Sequence, residues 1–185
     1  MEVPVLTTDR LRLRGFVNDD RDAFARMNAD PRVMEHFPSP LSREESDALV
    51  DRINAAWLNG FGLWAVDVGD TGAFAGFIGL GLPRFEAHFT PAIEVGWRLC
   101  VDAWGRGLAT EGARATLSWA REVGLQPPRG EVVSMTTVGN WRSRRVMEHL
   151  GFTHHDEDDF DHPTLPEWEF RRHVLYRRPL YDPNN

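Results

Sequence analysis

Between Ile93 and Val123 the chain changes its hydrophobic period once, and that change constrains the fold more than any other stretch. Ile93, Val95, Trp97, Leu99 and Val101 alternate with Glu94, Gly96, Arg98 and Cys100, the period of two of a strand with one face in the core and the other available. From about Arg106 to Val123, Leu108, Gly112, Thr116, Trp119, Ala120 and Val123 recur at helical spacing, which predicts an amphipathic helix. The join is the run WGRGLATEGA, Trp104 to Ala113, with small residues at 105, 107, 109, 112 and 113. Glycine costs a helix roughly 1 kcal/mol relative to alanine, so three glycines at a helix start need a physical reason. The first turn of a helix offers unpaired N–H groups and about half a positive charge, and residues without side chains let an anion approach them. A tight strand-to-helix connection that binds nothing suits the same letters, and spacing alone leaves both readings open. Two particular phosphate loops do not fit. Leu108, Ala109 and Thr110 follow Gly107 where a P-loop needs Lys and then Ser or Thr. Gly105, Gly107 and Thr110 miss the last glycine of a dinucleotide-binding turn.

The remainder of the chain reads as one domain over residues 1–185 with strands and helices intermixed. Leu11 and Leu13 alternate with Arg12 and Arg14 as a half-buried first strand. Asn18 to Asp20 cap a helix over Arg21 to Asn28, ended by the Asp30-Pro31 step. PRVMEHFPSP, which carries Phe37, is a loop or short helix near the surface. Ser42 starts a second helix, with Glu45 completing a capping box. Leu63 to Val68 and Phe74 to Leu80 form a hairpin through Gly69, Asp70 and Gly72. Val132 to Thr136 is a strand, Asn140 to Leu150 a helix capped by Asn140 with Gly151 just past its end, and Trp168 to Tyr176 a last strand. That order predicts an α/β or α+β domain with a mixed sheet.

The formal charge of −7, from 28 acidic and 21 basic residues, argues against a nucleic-acid partner and suits a basic substrate such as an amine. A single cysteine, Cys100, excludes an internal disulfide framework and a thiolate metal cluster and fits a reducing cytoplasm. MEVPVLTTDR lacks an apolar leader core, and the longest weakly apolar run, Ala73 to Leu82, is too short to span a bilayer. The expectation is a cytoplasmic chain with no membrane partner. HHDEDDFDH, His154 to His162, has no ligand spacing, so no metal is expected and the run reads as a solvated loop. Phe37, Trp57 and Trp64 are read as core aromatics, with the lining of an acceptor pocket as the second reading.

EVGWRLCVDA, WGRGLATEGA and, about 30 residues on, NWRSRRVMEHLGF resemble the acyl-CoA site of the GNAT superfamily of N-acetyltransferases. LTTDRLRLRGF at the start and HVLYRR at the end resemble its RimJ/RimL branch, and the likeness covers nearly the whole chain. It implies a central, mixed but mostly antiparallel twisted sheet with helices on both faces and a splayed acyl-CoA cleft. Acetyl-CoA would be the cosubstrate and the amine of a protein N-terminus or a small molecule the acceptor. The diphosphate arm of CoA would be held by N–H groups of Arg106, Gly107, Leu108, Ala109 and Thr110, with Gly107 and Ala109 matching the superfamily pattern and Trp104 replacing its usual Gln or Arg. The pantetheine arm would run along the peptide edge of Leu99, Cys100 and Val101, and Asn140 would bond that arm while capping its helix.

Under that resemblance Glu94 is the candidate base, against the bland reading of a solvated strand glutamate. A protein α-amine with a pKa of about 7.7 to 8.0 is already partly neutral near pH 7.5, so a weak base suffices. N–H groups near Leu99 would meet the oxyanion. Met147 stands where many relatives have a proton-donating tyrosine, which leaves Ser143 as the candidate acid, against a capping serine on the helix surface. A thiol with a pKa near 8.5 leaves with little help. The rival to an enzyme is a non-catalytic acyl-CoA binding module. The late strand and its aromatic neighbours are the candidate homodimer surface.

Overall fold

Nine strands form one sheet in the computed structural model, which describes residues 2–69 and 71–181. Asp70, read above as part of the hairpin turn, lies outside them. The strands are β1 (Leu6–Thr7), β2 (Leu11–Arg14), β3 (Leu63–Val68), β4 (Ala73–Gly81), β5 (Ile93–Leu99), β6 (Glu131–Thr137), β7 (Thr153–His154), β8 (Phe160–Asp161) and β9 (Arg172–Pro179). Their spatial order is β1-β2-β3-β4-β5-β6-β9-β7, with β8 also on β9. Every pairing is antiparallel except β5 with β6. Among the described residues four α-helices complete the fold: α1 (Arg21–Ala29), α2 (Arg43–Ala56), α3 (Leu108–Glu122) and α4 (Trp141–His149).

Alternation along the strands sends side chains into a separate core on each face. Leu11, Leu13, Trp64, Val66, Ile78 and Val95 pack with Leu108, Leu117 and Ala120 of α3 and Met147 of α4. Ala65 and Phe77 point the opposite way, onto Phe24 and Met27 of α1 and Val50 and Ile53 of α2. A third cluster, Phe89, Val133, Phe160 and Leu175, lies farther along the sheet. Trp57 and Trp64 are core residues, 3% and 0% exposed, and meet each other and Trp119 edge-on with ring centroids 4.5 to 6.0 Å apart. Gly112 explains part of the small-residue run. A Cβ there would stand 2.4 Å from Ile78 Cδ1, so glycine lets α3 lie directly on β4.

The capping box holds as drawn. The Glu45 N–H donates to Ser42 Oγ at 3.2 Å, and the Ser42 N–H to Glu45 Oε2 at 2.8 Å. Asn140 caps α4 and accepts from the Ser143 N–H at 3.2 Å. The last strand differs, starting at Arg172 rather than Trp168 and running to Pro179. Trp168 to Arg171 instead close a turn through an Arg171 N–H to Trp168 carbonyl bond of 3.0 Å.

Arg14 sits on the outward side of β2 yet is not a solvated charge. It donates to both oxygens of Asp20, at 2.7 and 2.8 Å, and to both oxygens of Asp67, at 2.7 and 2.9 Å. The network ties β2 to β3 and to the 3-10 turn before α1. Removing the cation strands two largely buried carboxylates. Arg14→Met is expected to cost about 3 kcal/mol in a urea melt at pH 7, the low end for breaking a buried pair, because 17% of the Arg14 side chain remains exposed.

Candidate active site

β5 and β6 pair at only two positions, Ile93 with Val132 and Glu94 with Val133, and then diverge. At the fork the buried Ser134 hydroxyl donates to the Val95 carbonyl at 2.8 Å. Beyond it a cleft of about 740 Å³ opens between the strands. Past the end of β5 the Cys100 N–H donates to the Ala75 carbonyl of β4 at 2.8 Å, and antiparallel alternation then turns the peptide groups of Val95, Trp97 and Leu99 toward the cleft. The Trp104 indole N–H takes the Leu99 carbonyl at 2.9 Å. The exposed peptide edge is therefore residues 95–99. Cys100 and Val101, expected on that edge, lie elsewhere, because Cys100 bonds toward β4 and Val101 starts a 3-10 turn ending at Ala103.

That turn leads into the small-residue run. Gly107 is left-handed, with φ of 75°, a conformation that disfavours side chains, and α3 starts after it rather than at Arg106. The first helical bond is Glu111 N–H to Gly107 carbonyl, at 3.1 Å, so the N–H groups of Leu108, Ala109 and Thr110 precede the intrahelical ladder. These three residues line the cleft with Gly105 and Gly107. Arg106 lines a neighbouring hollow instead, and its carbonyl accepts from Arg10 at 2.8 Å. The turn is strapped from the far end of the sequence. Glu111 accepts from Thr8 Oγ at 2.6 Å, from the Arg10 N–H at 3.0 Å and from Arg10 Nε at 2.6 Å, which commits its charge away from the helix start. An open cradle of N–H groups at a helix start, with Arg142 and Arg145 of α4 lining the same cleft, fits a phosphorylated cosubstrate such as CoA.

Glu94 lies on the cleft floor at the fork, and burial pushes its carboxyl up to about 7. Ser143 and Asn140, at the start of α4, line the same cleft. The Asn140 amide also donates to Thr136 Oγ at 2.8 Å, so its oxygen and one amide hydrogen serve the fold. Met147 is buried, 1% exposed. The loop between α1 and α2 forms the roof. His36 Nδ1 meets Thr137 Oγ at 2.9 Å, Glu35 pairs with Arg142 at 3.7 Å, and Phe37 lies 4.0 Å from the Arg98 guanidinium. Phe37 thus lines the cleft, while Trp57 and Trp64 do not.

Sequence reasoning missed the imidazoles. His36, His162 and His173 all face the cleft, and burial holds each below the usual imidazole range, which keeps them neutral near pH 7. No spacing signals a set gathered from residues so far apart. His162 belongs to the run read as a solvated loop. That run is in fact tied down, with Arg177 clamping Asp158 at 2.8 Å through two nitrogens and His154 bonding Asp159 at 2.7 Å. Despite the net negative chain, the cleft is lined by Arg32, Arg98, Arg142 and Arg145 against Glu94 alone among carboxylates.

Comparison with known proteins gives the following likenesses. The profile of the acetyltransferase (GNAT) domain family matches residues 10–153. FsC-acetyl coenzyme A-N(2)-transacetylase of Aspergillus fumigatus is 32% identical over 182 residues, 91% of this chain and 74% of that one. An acetyltransferase structure from Agrobacterium tumefaciens superposes with a TM-score of 0.74 at 28% identity, covering 96% of this chain and 95% of that one. The ribosomal-protein alpha-N-acetyltransferase RimL, solved with coenzyme A, shares the fold with a TM-score of 0.75 at 16% identity over 95% of this chain and 98% of that one.

The raised carboxyl of Glu94 has a consequence for stability. A carboxyl near 7 in the folded protein and near 4.5 unfolded binds more protons folded than unfolded, so its contribution is present below about pH 4.5 and is lost as pH rises through about 7. Glu94→Gln removes that loss. Its melting temperature is expected to gain on wild type progressively from pH 5 to pH 8, read by thermal melts across that range.

Proposed function

The chain belongs to the acetyltransferase (GNAT) family, an acetyl-CoA-dependent N-acetyltransferase, and on that premise we propose that the forked cleft is its active site, with Glu94 as base. The observation that carries the reading is the two-residue pairing of β5 with β6, which puts a free peptide edge, an anion cradle and a recessed carboxylate into one cavity. Acetyl-CoA supplies an acetyl thioester. The N–H groups of Gly107, Leu108, Ala109 and Thr110 take its diphosphate, and the 95–99 edge pairs with the amide-bearing arm as an added strand would. Glu94 accepts the proton of the incoming amine, directly or through water, as the amine nitrogen bonds the acetyl carbon. The Leu99 N–H faces the developing oxyanion. The C–S bond breaks, and the thiol leaves as thiolate or takes a proton from Ser143.

The acceptor is a primary amine, as the related ribosomal-protein N-acetyltransferase and the transacetylase suggest by name. A base titrating near 7 suits an α-amine, which needs only modest help to lose its proton near neutral pH. The rival reading, a non-catalytic acyl-CoA module, leaves the recessed Glu94 without a task.

Two variants separate binding from chemistry. Gly107→Val, forced into a left-handed conformation, is expected to weaken CoA binding at least about tenfold by calorimetry. Glu94→Gln is expected to bind CoA normally and to lose about 10² to 10⁴ in thiol release with amine acceptors. Because the base acts deprotonated, wild-type kcat/KM is expected to rise with pH through about 7, a limb that Glu94→Gln loses. Normal turnover by Glu94→Gln would remove the assignment.

A further inference from the structure

Arg98 is a cation without a counterion at the heart of the cleft. It projects from β5 on the face that carries Glu94, beneath the roof loop. Its Nη1 donates to the neutral Asn28 Oδ1 at 2.7 Å, and its guanidinium lies 4.0 Å from the Phe37 ring centroid and 5.4 Å from that of Phe77. Its Nε is buried with no hydrogen-bond partner. Burial alone pulls it down to about 10, with no neighbouring carboxylate to offset that. Glu94 shares the face but stands four residues away, about 13 Å of strand. The roof is fixed over this group, since His36 bonds Thr137 across the cleft and Glu35 pairs with Arg142.

A half-buried guanidinium held by one neutral amide and two rings has most of its fork unused. Tethering α1 to β5 needs a single donor, whereas Arg98 also lines the cleft and has no carboxylate partner there. The diphosphate cradle lies past the end of β5, at Gly107 to Thr110, so Arg98 is not its partner. We propose that Arg98 determines acceptor specificity by binding a carboxylate carried in the same molecule as the amine that is acetylated. The inference rests on the acetyltransferase reading above. The carboxylate would take the terminal nitrogen that Asn28 leaves unused, a charge-assisted hydrogen bond.

Matched acceptors test it. One pair is 6-aminohexanoate and 6-aminohexanamide; the other is the peptide amides Ser-Asp-Ala and Ser-Asn-Ala. Each pair differs only in whether a carboxylate is present, and the two pairs distinguish a small-molecule source from an acidic peptide. Thiol release gives kcat/KM for each. Wild type is expected to favour the carboxylate member of at least one pair by about tenfold or more, mainly through KM, the size of one charge-assisted hydrogen bond. Arg98→Met is expected to bring that ratio close to one, and Arg98→Lys to restore part of it, with CoA calorimetry reporting that the site is intact in each variant. A wild-type ratio near one in both pairs, or a ratio unchanged in Arg98→Met, overturns the proposal. Thiol release with no acceptor of either kind counts instead against the acetyltransferase reading.

Discussion

Two strands that start as parallel neighbours and part after two residues govern the rest of this structure. A paired β5 and β6 would consume the peptide groups that the cleft exposes, and the sheet would have one continuous core on each face. Parting leaves the β5 edge at residues 95–99 open, with Ser134 satisfying Val95 at the fork. On the face carrying α1 and α2 it also separates the Phe24 and Phe77 cluster from the Phe89 and Phe160 cluster. Glu94 and Arg98 occupy the gap. Both are partly withdrawn from water without an opposite charge beside them, which is unfavourable and is tolerable where a ligand completes the site.

The second device is the start of α3. Glycine conformations bring backbone N–H groups to the cleft, and Gly112 one helical turn later brings the same helix flat against the sheet. One short run therefore does two unrelated jobs, since Gly107 serves the site and Gly112 the packing. Glu111, between them, would place a negative charge beside an anion cradle if left free. Thr8 and Arg10 hold it instead, so the opening segment LTTDR positions the site from across the sheet without entering it.

Much of the secondary structure was legible because its causes are local. The alternation over Ile93 to Leu99, the capping box at Ser42 and Glu45, and the Asn140 cap all appear where the letters put them. The short strands β7 and β8 carried no signal, as two residues cannot express a period. Glu94, Gly107 and Ser143, expected from period and family likeness, all line one cavity. His36, His162 and His173 were not expected, because what gathers them is the packing of a loop and of β9, which no spacing encodes. Net charge is equally uninformative about the cleft, since a sum over the whole chain says nothing about which side chains face a cavity.

By itself the sequence determined the alternating strand, the glycine turn, the caps and the family likeness, each a matter of neighbours a few residues apart. The tertiary structure alone decided where β5 leaves β6, which peptide edge stays open, that Phe37 roofs the cleft instead of joining Trp57 and Trp64 in the core, and that Arg98 stands in the cleft without a counterion. These are contacts between distant segments, fixed by how two faces of one sheet are covered, and no local pattern carries that information.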